Sequence, residues 1–377
     1  MVMFYTHKAV LRATAVAAAV FLSVAGSVGA TELKIALGDG PQHEGTKAMV
    51  SWAKELATYS KDDLTARVFP QTLVSLKEVP GALRDGVADM GVMVHPYQPA
   101  EFPEATFIAD FSLSAKTTGA AVGAATEYIY TCKECMEEMK KQGLVYMGCI
   151  AGAPYSLMTT KPVQTLADFK GLKVRSGGEA WGRWIEALGG IKVQLPSPDA
   201  YQALSQGMLQ GHTQSMGALV DQSIADVAKY VTDLPVGVYF GASVNFSRMN
   251  WEKLSDSQRQ IIFDRLPYLL SQYVSNQTVA RDAVKARLGE LGVTLEEPAA
   301  DLLAANKSFL ETDQATVVSK AKASYGIENA QEKAARLIAL IDKWEKLTAG
   351  MESDPAALGE LYKKEIFDKL TAVTISN

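Results

Sequence analysis

GLKVRSGGEAWGRWIEALGG, residues 171–190, decides how this chain is read. Leu172–Lys173–Val174 has the apolar–polar alternation of a strand and delivers Arg175 into the turn Ser176–Gly177–Gly178, after which a helix begins near Glu179. Strand, glycine-rich turn and helix form the repeating unit of a mostly parallel α/β sheet. An arginine at the strand end shares the turn with free backbone N–H groups and the positive end of a helix, a setting suited to an anion. A guanidinium there can grip a carboxylate with two parallel bonds. The competing expectation for Arg175 is a salt bridge to a nearby acid such as Asp199. Trp181, Trp184, Ile185 and Leu188 fall at helical spacing 0, 3, 4, 7, which assigns both tryptophans to core packing rather than ligand stacking.

The same alternation extends in both directions. Upstream, ELKIAL (32–37), LTARVFP (64–70) and VADMGVMV (87–94) read as strands, separated by helices over 46–59 and SLKEVPGALRDG, with a polar glycine-rich loop GDGPQHEG after the first strand. Downstream, LVYMGCI, LKVR, KVQLP, GHTQSMGA and the long run PVGVYFGASVNFSRM read as strands. From Trp251 onward almost everything is helical, with two long amphipathic stretches at 255–291 and 299–349. The expectation is α/β: two lobes, 31–152 plus 240–280 and 153–239 plus 281–377, braced by long helices and enclosing one cleft.

Residues 1–30 carry His7, Lys8 and Arg12, an apolar run Ala13–Leu22, and small residues at Val28–Gly29–Ala30 before a cleavage site. This is the pattern of a secretory signal peptide, too short for a membrane span. Its removal leaves 35 basic residues against 42 acidic ones, and no basic blocks, which argues against nucleic acid or an anionic membrane as partner. In an oxidising compartment three cysteines leave one thiol over. Counting helical and strand rise from the Gly143 turn puts Cys149 level with Cys132, so Cys132–Cys149 is the expected disulfide. No thioredoxin-like surroundings or fourth metal ligand accompany Cys132-x-x-Cys135.

Catalytic signatures are missing: there is no G-x-S-x-G, H-E-x-x-H, phosphate loop or dinucleotide fingerprint, and no cofactor is implied. His43, His95 and His212 each follow a strand, where cleft residues arise in open α/β sheets, but nothing in their spacing marks a metal site.

In its ordered motifs the chain resembles the extracytoplasmic solute receptors of TRAP transporters, the C4-dicarboxylate-binding family. The likeness is carried by VFPQTLVSLKEVPGALRDGVADMGVMVHPYQPAEFPE (68–104), TLADFKGLKVRSGG (165–178), ALGGIKVQLPSPDAYQALSQGMLQG (187–211) and VNFSRMNWEKLSDSQRQII (244–262). It implies a periplasmic-binding-protein fold whose two lobes close over an organic acid. The family's carboxylate-binding arginine falls on Arg175. A position that is sometimes a second arginine falls on Tyr155, so the ligand should carry less negative charge, with a monocarboxylate of apolar or aromatic body favoured. Further cleft positions fall on Gln214 with Ser215, on Tyr239 and Phe240, on His95 and Tyr97 of the first lobe, and near Glu179. The implied partners are membrane permease subunits, and the protein would be a periplasmic monomer. A receptor for an ATP-driven importer or a sensor kinase fits the same motifs. An exported enzyme using His95 or His212 as base would also use Arg175.

Overall fold

The computed structural model describes residues 30–371, so the signal-peptide reading of 1–30 lies outside the described residues apart from Ala30. Eleven strands form two sheets. The first contains β1 (Thr31–Leu37), β2 (Leu64–Pro70), β3 (Met90–Val94), β4 (Leu144–Ile150) and β10 (Ala242–Ser247), in the order β2-β1-β3-β10-β4. The second contains β5 (Tyr155–Thr159), β6 (Lys173–Ser176), β7 (Ile191–Gln194), β8 (Gly211–Ser215), β9 (Tyr230–Thr232) and β11 (Thr294–Glu296), in the order β11-β9-β5-β8-β6-β7. Each sheet is parallel except around one inserted strand: β10 runs antiparallel to β3 and β4, and β5 antiparallel to β8 and β9.

The strands with the most continuous apolar runs are the ones covered on both faces. All seven residues of β4, LVYMGCI, are buried. Its helical cover is α3 (Thr118–Tyr130), whose small residues Ala120, Ala121, Ala124 and Ala125 allow close approach. Helices α1 (Glu44–Ser60), α2 (Pro103–Ala109) and α4 (Lys133–Lys141) complete the first lobe, and α5 (Glu179–Ala187) and the short α6 (Ala218–Asp221) cover the second sheet. Four more helices follow: α7 (Asp256–Lys285), α8 (Ala300–Tyr325), α9 (Ala330–Leu347) and α10 (Pro355–Glu365). The amphipathic run read over 299–349 is thus two helices, broken where Gly326 adopts φ +73° and caps α8.

Helix α7 packs on α1, α9 on α3, and α10 on α7. The closing helices therefore sit on the first lobe, not on the second to which 281–377 was given. The reason lies in their apolar stripe: Leu337, Ile341 and Trp344 bury against α3, and Trp344 Nε1 donates to Glu127 at 2.7 Å. Helix α8 does reach the second lobe. Its Asn306 accepts from Trp184 Nε1 at 2.7 Å, and its Asp313 binds Arg183 of α5, which also contacts Asp110 at the end of α2.

Two chain crossings between the lobes run side by side. Gly152 N–H, after β4, donates to Tyr239 O, and Tyr155 N–H donates to Gly237 O, both at 3.0 Å. The long strand expected over 235–249 is consequently shorter: only 242–247 is strand, because 233–241 spans the gap between sheets. Gly237 has φ +75°, and a Cβ there would meet Ser112 O at 2.4 Å. Strands β5, β9 and β11 had no place in the sequence reading, and 225–231, read as helix, holds a single turn before β9.

The disulfide joins Cys132 to Cys135 and leaves Cys149 free and buried, against the expected Cys132–Cys149 pair. The cause is local. Cys132 caps α4 in an extended conformation, so its Sγ turns back over the first helical turn, accepting from Cys135 N–H at 3.2 Å. Cys149 instead faces Phe240 O at 3.2 Å. Alkylation of the unfolded, unreduced protein followed by peptide mapping should label Cys149 alone; label on Cys135 would restore the pairing expected from the rise. Replacing Gly237 by alanine should destabilise the protein by about 2–4 kcal/mol in urea unfolding, combining left-handed strain with overlap.

Candidate functional site

The two sheets present their inner ends to one cleft of about 700 Å³, open solvent at its mouth included. The first lobe contributes Asp39, Val94 and Tyr97, and the second Tyr155, Arg175 and Gln214. Arg175 is at the centre. It is the third residue of β6 and only 1% exposed. Its Nε donates to Leu195 O at 2.9 Å and Nη1 to Thr213 O at 3.4 Å, which fixes the guanidinium plane from the backbones of β7's exit and β8. Its Nη2 donates across the cleft to the Tyr97 hydroxyl at 3.0 Å. Gly177 makes room for this: a Cβ there would press on both Nη atoms at 3.2 Å. Among the described residues no carboxylate lies within salt-bridge distance of Arg175, so the pairing with Asp199 does not form. The turn is less open than its sequence implies, because Gly178 N–H already donates to Ser176 Oγ at 3.3 Å.

Tyr155, Tyr239 and Trp181 form a cluster of three mutually contacting rings: Tyr155 stacks on Tyr239 at 6.2 Å and 13°, and Trp181 is tilted against Tyr155 at 4.6 Å and Tyr239 at 5.5 Å. Trp181 is fully buried and its Nε1 holds Val236 O at 3.0 Å, so it supports the wall from behind as core. Burial raises the hydroxyls of Tyr97, Tyr155 and Tyr239 above the ordinary phenol range, with Arg175 opposing in each case. All three therefore remain neutral donors around the guanidinium. Gln214 Nε2 donates to Ser197 Oγ at 2.9 Å, and Ser197 Oγ donates to Gln222 Oε1 at 3.0 Å, a polar chain along the second lobe's wall. Ser215 lies beside it in the lining.

Three expected site residues are elsewhere. His95 is 2% exposed beneath the end of β3, bonded through Nε2 to Ser243 Oγ at 2.9 Å, and burial pushes its pKa down to about 3. Phe240 is buried among hydrophobic residues outside the cleft lining, and its backbone serves the crossing segment. Glu179, at the first turn of α5, is paired with Lys192 at 2.9 Å on the surface side. Local geometry explains the first two. His95 and Tyr97 share the single 3-10 turn His95–Tyr97 after β3, where two residues along is two-thirds of a turn round. Tyr239 and Phe240 are neighbours in the extended crossing segment, where one residue along a side chain changes face. Thus Tyr97 and Tyr239 line the cleft while His95 and Phe240 do not.

His212 is fully buried in β8, and neither ring nitrogen has a hydrogen-bond partner. Burial first, then Arg175, holds it well below the ordinary imidazole range. His43, the third histidine, lines the cleft but uses Nδ1 to cap α1 through Gly45 N–H at 3.2 Å. The three imidazoles thus do not converge. Glu104 lies close to Cys132 and Cys135, whose sulfurs are joined to each other in the disulfide.

Sequence reasoning passed over Asp39, Asp221 and Tyr273 as cleft residues, while His43, read as lying past a strand where cleft residues arise, does line the cleft. Asp39 and His43 had a usable signal: the loop GDGPQHEG follows the carboxyl end of a parallel strand, where open α/β sheets bind ligands. Tyr273 comes from the middle of α7, 30 residues long, whose face toward the cleft no local pattern marks.

With this geometry in place the comparisons are specific. The sequence model of bacterial extracellular solute-binding protein family 7 matches residues 38–319, and the chain belongs to that family. A solute-binding protein of Albidiferax ferrireducens is 23% identical over 300 residues, covering 77% of this chain and 83% of that one. Among solved structures, a TRAP periplasmic solute binding protein from Bordetella bronchiseptica with bound (R)- and (S)-mandelate superposes with a TM-score of 0.71 at 23% identity, covering 83% of this chain and 99% of its own. A TRAP solute binding protein from Rhodoferax ferrireducens T118, in complex with copurified benzoate, gives 0.74 at 20% identity, covering 84% and 99%. These likenesses establish the two-lobed solute-receptor fold.

The buried histidines set a pH dependence. Both are neutral when folded and have lowered pKa values, so the unfolded state binds more protons below about pH 6.5 and stability falls as pH falls through that window. Between pH 7.5 and 5.5 each should cost about 1.4 kcal/mol. Urea unfolding of His212→Met should show a shallower acid slope than wild type; identical slopes would mean that His212 titrates normally in the fold.

Proposed function

We propose that the protein captures a small organic acid in this cleft, holding its carboxylate on Arg175, and delivers it to membrane permease subunits from the periplasm. The observation that carries this is the guanidinium itself. It is 1% exposed, held in plane by two backbone carbonyls, and has no acid to neutralise it among the described residues. Burying an unpaired charge is costly, and a ligand carboxylate, which accepts two parallel bonds, offsets that cost on closure. The Tyr97 hydroxyl reaches Arg175 from the opposite lobe, so closing over a ligand brings donors from both sides to the same carboxylate.

One arginine argues for one carboxylate, and the stacked wall of Tyr155 and Tyr239, backed by Trp181, suits a flat apolar body. Mandelate and benzoate, held by the structural relatives, are acids of that kind. Transport rather than reaction is supported by the histidines: His95 and His212 are sealed outside the cleft lining and His43 has Nδ1 engaged, so among the described residues no imidazole is paired with a hydroxyl of the cleft lining. No described helix is long and apolar enough to cross a membrane. Exported action as a monomer belongs to the same reading.

Calorimetric titration with benzoate and with succinate tests the proposal. Wild type should bind benzoate and prefer it to the dicarboxylate. Arg175→Ala should lose at least about a hundredfold in affinity, near 3 kcal/mol, while keeping a native circular dichroism spectrum. Normal binding by that variant would make Arg175 structural, and binding of succinate alone would overturn the monocarboxylate assignment.

A further inference from the structure

Not every polar group in the cleft serves a carboxylate. Asp39, in the loop after β1, and Asp221, at the end of α6, approach from opposite lobes and line the same cleft as Arg175. Both would repel an anion. Among the described residues neither is paired with a lysine or arginine, and Oδ1 of Asp221 is sealed from solvent with no hydrogen-bond partner. Burial raises the Asp221 carboxyl above its ordinary range; neighbouring His43 opposes the shift and Asp39 adds to it, which places the two acids and the imidazole within one another's fields. The cleft wall holds a further unpaired polar group, beside Gly241 rather than the acids. Tyr239 is 9% exposed, forms part of the cleft wall, and its hydroxyl has no partner. Buried polar groups left unpaired are costly, and a ligand that pairs them gains what one lacking the matching group forfeits.

Resting on the reading that a carboxylate sits on Arg175, we propose that the captured acid carries a second polar group, an N–H or O–H donor on its apolar body, which Asp221 and Asp39 accept from the two lobes. An unsubstituted acid would bring its negative charge toward two carboxylates and leave both without a donor. A donor at the far end of the ring satisfies them, and if that donor is cationic it also offsets the acidic excess of the cleft. Sites built around a ligand's hydrogen-bonding group reject analogues without it far more strongly than apolar pockets discriminate a methylene. Asp221 and Asp39 are thus the specificity-determining pair, and Arg175 the general anchor.

Calorimetric titration of wild type, Asp221→Ala and Asp39→Ala with benzoate, 3-hydroxybenzoate and 3-(aminomethyl)benzoate tests this. In wild type at least one substituted acid should bind about tenfold or more tighter than benzoate. Preference for the aminomethyl acid identifies a cationic donor, and preference for the hydroxy acid a neutral one. In at least one of the two variants the ratio of substituted to unsubstituted acid should fall to within about threefold. Each variant's urea midpoint is read beside the titrations, and Asp39→Ala, on a loop, carries the test if Asp221→Ala does not fold. Equal wild-type affinities for all three acids, or a preference that survives in both folded variants, would overturn this inference and leave acid capture standing. Failure of all three to bind wild type would overturn acid capture and the inference together.

Discussion

A guanidinium buried without a counter-charge is the constraint around which this molecule is arranged. At the end of β6, Arg175 turns one donor out of the second lobe: Nη2 reaches Tyr97 of the first. The backbone carbonyls of Leu195 and Thr213 take the other directions, and Gly177 removes the one Cβ that would crowd the group. The guanidinium is thereby oriented and, among the described residues, left without an acid partner. That is the condition a receptor needs before its ligand arrives and an enzyme would need only as part of a larger constellation.

The connections between lobes hold this geometry. The paired crossings at 151–154 and 233–241 are hydrogen-bonded to each other and form one ribbon. Away from the ribbon, Arg183 of α5 is bonded to Asp313 of α8 and to Asp110 of the first lobe. The helix that starts immediately after the Arg175 turn is therefore tied through its other end to the brace.

Much of this was legible in the sequence because it depends on local periodicity. The strand–turn–helix at 171–190 placed Arg175 at the cleft and both tryptophans in the core, and the runs LTARVFP and LVYMGCI are strands at the expected residues. What failed depended on non-local pairing or on single-residue facing. Strand β5, YSLMT, has no strong pattern and is a strand because β8 and β9 flank it. His95 and Tyr97 belong to the same short turn, yet only Tyr97 enters the cleft, and Tyr239 and Phe240 divide in the same way. Cys132 pairs with Cys135 because it caps a helix rather than continuing it, a one-residue boundary that rise arithmetic cannot resolve. Glu179 follows the binding turn closely in sequence, but α5 carries it round to Lys192.

The central claim concerns one contact: a carboxylate completing the coordination of Arg175. A crystal structure of the protein grown with 3-hydroxybenzoate tests it most directly. The account predicts both carboxylate oxygens on the Arg175 guanidinium, the ring against Tyr155 and Tyr239, and the hydroxyl turned toward Asp221. An acid seated elsewhere in the cleft, with Arg175 still bonded only to Tyr97 and the two backbone carbonyls, would contradict it.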